Sequence, residues 1–340
     1  MNKLSRIIGM MCLAVLAVGF TSCNKDKVEK SSSFTFDMST VEGFVADDSK
    51  AYVDISASGQ PVTWFANDQI MVYSVDATNT TPQMTTFTIN EGGAGKTRAT
   101  FSGDEITKGS YGYFAFYPAS KVVGVSEGNF GTFNVGETQT YNSALDFAGT
   151  SMAGKAFMDP QGAVGACPTD ILNGTTTTGT FKQIFGYANV RVKDASGATA
   201  GKTVSSVTIT DNYRHLTGNM TINLVELTTP RLNSLKTLGT NYSNGSITIE
   251  SYTPQLNDLL HQMGYSTQPE GYSVTLNCAA ANATLNNANK YFIIPLRPGA
   301  LLKDFVVTVN FSDGSYKDFE FNDKKYIIRP ATFSNIQCTF

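Results

Sequence analysis

Phe305-Val306-Val307-Thr308-Val309-Asn310-Phe311-Ser312-Asp313-Gly314-Ser315-Tyr316-Lys317-Asp318-Phe319-Glu320-Phe321 reads as two strands joined by a hairpin turn. Apolar and polar side chains alternate on both sides of the turn, as on a pleated surface with one buried face. Asp-Gly between alternating runs is a strong local hairpin signal, because the turn needs residues that tolerate positive φ.

The same pattern extends in both directions. Downstream, Phe333–Phe340 puts Ile336, Cys338 and Phe340 on one face and Asn335, Gln337 and Thr339 on the other. Upstream, strands are expected at Tyr291–Leu296, Tyr272–Cys278, Ile247–Glu250, Gly218–Leu224, Val204–Thr210 and Phe181–Val192. Nearer the N-terminus they are expected at Tyr111–Tyr117, Ala99–Ser102, Thr85–Asn90, Gln69–Val75, Ala51–Ser56 and Ser33–Met38. Gly92-Gly93-Ala94-Gly95 would be a hairpin loop. In Tyr111–Tyr117, Phe114 and Phe116 share one face, and Tyr111, Tyr113 and Tyr117 the other. One short helix is expected, with Thr253 as its N-cap, Pro254 at its first position, and Leu256, Leu259, Leu260 and Met263 as its apolar stripe.

A chain of 340 residues is near the length at which one core stops growing and domains divide. Charged residues make up only 16%, while 22 Phe and 15 Tyr supply ample apolar bulk. This is the composition of an all-β protein with polar faces. The Gly- and Thr-rich stretch ending in Gly174-Thr175-Thr176-Thr177-Thr178-Gly179 marks a domain boundary near residue 180, giving two tandem β-sandwiches at 34–180 and 181–340. No strict internal repeat is visible. A net charge of −3 offers no cationic footprint for nucleic acid.

The N-terminus carries its own message. Lys3 and Arg6 precede an apolar run, Ile7 to Phe20, that has signal-peptide length and is short for a membrane span. Thr21-Ser22-Cys23 then reads as a lipobox, so residues 1–22 are expected to be a signal peptide and Cys23 the lipidated residue, held in a membrane by several acyl chains. Residues 24–33 are polar and mixed in charge, a tether. Of the other cysteines, Cys12 leaves with the signal, and Cys167, Cys278 and Cys338 remain. A Cys278–Cys338 bridge and buried reduced thiols are both open readings.

Catalytic signatures are missing. Only two histidines occur, His215 and His261, and neither has a second His at metal-ligand spacing. Gly149-Thr150-Ser151-Met152-Ala153 ends in Ala where a nucleophile elbow requires Gly. Gly92-Gly93-Ala94-Gly95-Lys96-Thr97 lacks the spacing of a phosphate loop. No cofactor or metal is expected. Tyr111, Tyr113 and Tyr117 offer aromatic faces that would suit sugar rings, or pack under a neighbouring segment.

The lipobox, Trp64-Phe65-Ala66-Asn67-Asp68-Gln69-Ile70-Met71-Val72-Tyr73, Tyr113-Phe114-Ala115-Phe116-Tyr117-Pro118 and Phe181–Val192 together resemble the fimbrillin-like proteins of Bacteroidales. Val204–Leu224, Tyr291–Gly299 and Tyr326–Phe340 resemble that family's later strands, so the resemblance covers nearly the whole mature chain. It implies transthyretin-like sandwiches and a structural or adhesive role in a type V pilus on the outer membrane, with other fimbrial subunits as partners. In polymerising members an arginine-directed protease removes the first strand, and a neighbour's strand fills the groove. On this chain the displaced strand would carry Phe34 and Phe36, and the donor would be Phe333–Phe340, with Phe333, Ile336, Cys338 and Phe340. No arginine lies between Cys23 and Arg98, so Lys50 is the candidate processing position. The alternative is an uncut anchor or a stand-alone lipoprotein that binds a surface glycan or protein.

Overall fold

The computed structural model describes residues 31–38, 64–75, 83–107, 112–126, 130–141, 156–158, 165–167, 178–212, 216–223, 234–235, 237–238, 241, 245–262, 266–267, 271–279, 283–287, 289–297, 301–328 and 333–340. The protein is all-β, with a helix packed on one layer. The signal peptide, the tether up to residue 30 and the expected strand Ala51–Ser56 lie outside the described residues.

Seven strands close into a barrel in the order β1 (Ser31–Met38), β11 (Thr178–Gln183), β10 (Gly165–Cys167), β5 (Gly112–Tyr117), β2 (Gln69–Val75), β3 (Gln83–Ile89) and β4 (Arg98–Asp104). Alternation predicted stacked sheets here; the strands close on one another instead, so among the described residues none of the seven stands at an edge. The interior takes one face of six of these strands: Phe34 and Phe36 of β1, Ile70 and Val72 of β2, Phe87 of β3, Phe101 of β4, Ala115 and Tyr117 of β5, Phe181 of β11. Trp64, fully buried, plugs it. Its backbone bonds the Gly-rich β3–β4 loop, with Trp64 N–H donating to Lys96 O at 2.9 Å and Gly95 N–H to Trp64 O at 2.7 Å. Gly92 and Gly95 have positive φ, 78° and 75°, so these glycines serve a turn that clamps the plug.

The outward residues of β2 and β5 belong to a second core. Tyr73, Phe114 and Phe116 pack with Phe133 and Val135 of β7 (Phe130–Val135), Met220 and Ile222 of β14 (Gly218–Asn223), and helix α1 (Ile249–Gln262). With β6 (Val122–Ser126) and β15 (Ser266–Thr267), these strands form a sheet in the order β15-β14-β7-β6. The helix begins earlier than expected: it takes in Ile249 and Glu250, expected as strand, and Pro254 lies inside it. Burial explains the extra turn. Tyr252, Leu256 and Leu260 recur at four-residue steps on the buried face, and Tyr252 is fully covered.

The third core lies between two sheets. One runs β21 (Phe333–Thr339), β12 (Gly186–Lys193), β18 (Lys290–Leu296), β9 (Ala156–Met158); the other runs β20 (Tyr316–Ile327), β19 (Leu301–Phe311), β13 (Thr203–Asp211), β16 (Ser273–Asn277), β8 (Thr138–Thr140), with β17 (Ala283–Thr284) beside β13. Ala188, Val190, Phe292, Ile294 and Ile336 face Val207, Ile209, Leu276, Val307 and Val309, a β-sandwich core. The hairpin read from Phe305–Phe321 is β19–β20, with Gly314 at φ 82° in its turn.

Strand pairing crosses residue 180 repeatedly: β7 pairs β14, β8 pairs β16, and β9 pairs β18. Two parallel pairs have like positions in the chain order. β1 pairs β11, Thr35 opposite Thr178 to Met38 opposite Phe181; β12 pairs β21, Tyr187 opposite Phe333 to Lys193 opposite Thr339.

Candidate strand-exchange site

β1 has two chemically distinct faces. Inside the barrel, the Phe34 ring meets Phe87 and Tyr113 edge to face, with centroids 5.0 and 5.1 Å apart. Phe36 meets Phe181 at 4.8 Å and Phe101 at 6.2 Å. Both phenylalanines are buried, and each contributes about 1.5–3 kcal/mol of apolar burial. Outside, polar side chains bind β1 to β4 and the segment after it. The Thr35 and Thr100 hydroxyls share a hydrogen bond at 3.0 Å, Arg98 Nη1 donates to Asp37 Oδ2 at 2.5 Å, and the Ile106 N–H donates to Ser32 Oγ at 3.3 Å. Barrel closure thus places β1 between β4 and β11.

The strand Phe333–Phe340 ends its sheet, and among the described residues β21 pairs only β12. Ile336 and Cys338 are buried, and the half-buried Phe340 ring meets Phe319 edge to face at 5.0 Å. Phe340 N–H donates to Lys193 O at 3.1 Å, and Ser196 N–H to Phe340 O at 3.2 Å. No residue from Phe333 to Phe340 is charged. The facing sheet ends differently: β20 exposes Lys317, Asp318 and Glu320, the kind of charge that blocks edge-to-edge pairing. Of Phe333 only the strand position is described, and Cys23, Lys50 and Tyr111 lie outside the described residues.

The proposed tyrosine platform needs correction at Tyr117. Its side chain points into the barrel at 5% exposure, its ring stands edge to face against Trp64 at 5.1 Å, and its hydroxyl donates to Asp68 Oδ1 at 3.0 Å. No ring face is left for a sugar. Tyr113 packs on Phe34 and donates its hydroxyl to Ile106 O at 3.1 Å; burial, then the Glu105 carboxylate, raises its pKa. Tyr113 and Tyr117 lie on the face opposite Phe114 and Phe116, and that face is the barrel interior.

Two groups that the sequence did not single out shape this region. Asp68 caps its own turn, accepting from Phe65 N–H at 2.7 Å as well as from Tyr117, and burial raises its pKa against both hydrogen bonds. Asp37 and Arg98 lie 61 residues apart, so only the strand register reveals their pairing. Cys278 and Cys338 are both free thiols buried in the third core, which closes the bridge reading in favour of small apolar packing. Burial pushes the Cys278 thiol up to about 12 and raises Cys338 as well. Among the described residues, no three His, Cys, Asp or Glu side chains gather to hold a metal, and no helix is long and apolar enough to cross a membrane.

No protein-family model matches the sequence, and no curated protein matches it. Among solved structures, the chain is similar to a candidate cell adhesion protein of Bacteroides ovatus, at 12% identity and TM-score 0.46, covering 92% of this chain and 93% of that one. A second candidate cell adhesion protein, from Bacteroides uniformis, has 9% identity and TM-score 0.41, with 94% of each chain covered. A fimbrial protein of Bacteroides vulgatus has 10% identity and TM-score 0.34, covering 91% of this chain and 94% of that one.

Proposed function

We propose that this protein is a surface lipoprotein, anchored through Cys23 to outer-membrane lipid, that serves as a structural or adhesive subunit of a type V pilus. Its two tandem transthyretin-like domains, 34–180 and 181–340, assemble with other fimbrial subunits by strand exchange. The parallel first-with-last pairs, β1 with β11 and β12 with β21, support two units that meet close to residue 180, with β11 carrying the first as far as Gln183 and β7, β8 and β9 pairing with later strands.

The observation that carries the reading is the position of β1. It closes the barrel with two buried phenylalanines, yet it is the first strand of the barrel in the chain. It can therefore be withdrawn without drawing out a second strand. What remains is a groove with backbone hydrogen-bonding groups on both rims and alternate side-chain pockets, the requirement for strand addition. Phe333–Phe340 supplies donor character for a neighbouring subunit's groove: uncharged, alternating, and at a sheet edge. The protein works by binding, without catalytic turnover.

Surface protein purified from its own cells and mildly heated tests this directly. Ladders of subunits, with a new mature end near Ala51, are expected. Monomer alone, before and after protease treatment, would remove the polymerising role.

A second reading is an uncut anchor or stand-alone binder of a host or bacterial surface glycan or protein. It is favoured by the lack of any arginine between Cys23 and Arg98. A mature N-terminus at Cys23 would support it.

A further inference from the structure

We infer that the groove beneath β1 selects a strand of a different polypeptide, one with two aromatic side chains two residues apart and a carboxylate directly after the second. The inference rests on the reading that β1 can be withdrawn, and it names the partner chemistry of that site.

The present occupant defines the requirements. Thr35 faces Thr100 and Asp37 faces Arg98, so two steps along β1 match two steps backwards along β4. β1 thus runs antiparallel to β4, while its pairing with β11 is parallel. An incoming strand inherits that direction and register. Its inward residues must fill the space between Phe87 and Tyr113 and the space between Phe101 and Phe181, now occupied by Phe34 and Phe36. Small side chains there would leave voids lined by aromatic rings. Its next outward residue meets the Arg98 guanidinium, for which a carboxylate is the geometric match.

The strand Phe333–Phe340 fails each requirement. Its inward series in its own sheet is Ile336, Cys338, Phe340, so no frame offers two aromatics two residues apart, and it contains no acid to face Arg98. Several aromatic pairs of that spacing occur elsewhere in the chain, including Phe114 with Phe116 and Phe319 with Phe321, but none is followed by an acid except Phe34-Thr35-Phe36-Asp37. The Phe333–Phe340 strand of a second copy therefore does not fit the groove, and within this sequence only Ser31–Met38 itself does, so assembly through any other strand joins unlike subunits.

The test uses the whole chain with a specific protease site inserted between residues 39 and 63. The protein is cut after folding, so β1 stays seated as a separable peptide. Fluorescent peptides then compete for the groove: the Ser31–Met38 sequence, the same peptide with Asp37→Lys, and the Phe333–Phe340 sequence. The first should enter and the third should not compete. Asp37→Lys should weaken entry by about fivefold or more, the loss of an exposed pair plus a repulsion. Arg98→Glu in the protein should invert the preference between the Asp and Lys peptides, and Arg98→Gln should abolish it. Entry of the Phe333–Phe340 peptide as readily as the first, or an unchanged preference in Arg98→Glu, overturns the selectivity while leaving strand exchange intact. Entry of no peptide at all overturns both.

Discussion

Phe36 on β1 meets Phe181 on β11 edge to face, with ring centroids 4.8 Å apart and planes at 65°. The two strands pair in parallel, with Phe36 opposite Gly179 and Phe181 opposite Met38, so the two rings are offset by two positions along the ladder. The contact ties the first strand of the barrel to a strand more than a hundred residues later.

Truncating that ring should be costly. Phe36→Ala is expected to lower stability by about 3–5 kcal/mol, because the site is fully buried and its lining of Phe101 and Phe181 cannot collapse without breaking the barrel. Urea unfolding of purified full-length protein measures it. A loss below about 1 kcal/mol would mean that β1 is not held in the core as described.

Asp68 bonds both the Phe65 N–H and the Tyr117 hydroxyl. Asp68→Ala should cost about 1–3 kcal/mol, since it removes a buried hydrogen bond from the Tyr117 hydroxyl and the cap on the Phe65 N–H. Combining it with Tyr117→Phe should cost less than the sum of the two single changes, because the shared hydrogen bond is lost only once. Additive losses in a double-mutant cycle would show that the pair is not coupled.

Gly103 on β4 has no room for a side chain. A Cβ there would lie 2.8 Å from the Thr86 backbone oxygen and 3.0 Å from the Phe87 ring. Gly103→Ala should therefore destabilise by about 1–3 kcal/mol, although alanine is ordinarily tolerated on a strand. A thermal melt unchanged from the parent would contradict the close approach of β3 and β4.

The buried thiols give an alkaline signature. Cys278 ionises near its ordinary value of 9.0 in an unfolded chain but is pushed up to about 12 by burial in the fold. A folded-state pKa above the unfolded value gives stability that is fully present below pH 9.0 and is lost as pH rises toward 12. Buried Tyr73 and Tyr187 are shifted in the same direction. Urea midpoints should fall between about pH 8 and about pH 10.5, and a Cys278→Val, Cys338→Val double variant should lose less, with the tyrosine part remaining. An equal loss in the double variant would remove the thiols from this account. Neither native thiol should react with a water-soluble thiol reagent at neutral pH.

Local pattern fixed much of this protein without reference to its fold. Alternation in Phe305–Phe321, Tyr111–Tyr117 and Phe333–Phe340 specified strands and which side chains share a face, because the pleat repeats every two residues wherever the strand lies. Asp313-Gly314 specified a turn for an equally local reason, the need for positive φ. What lies on each face is not local. Nothing in Tyr113 or Tyr117 tells a closed barrel's interior from an exposed platform, and nothing in Thr253-Pro254 reveals that Tyr252 finds a core that extends the helix backwards. Arg98 and Asp37 are an unremarkable cation and anion until register sets them opposite each other. Closure of β1 between β4 and β11, and the pairing of β7, β8 and β9 with later strands, were decided only in three dimensions. Those choices depend on which distant edges can satisfy one another's backbone groups while filling a common interior, a condition no short stretch of sequence contains.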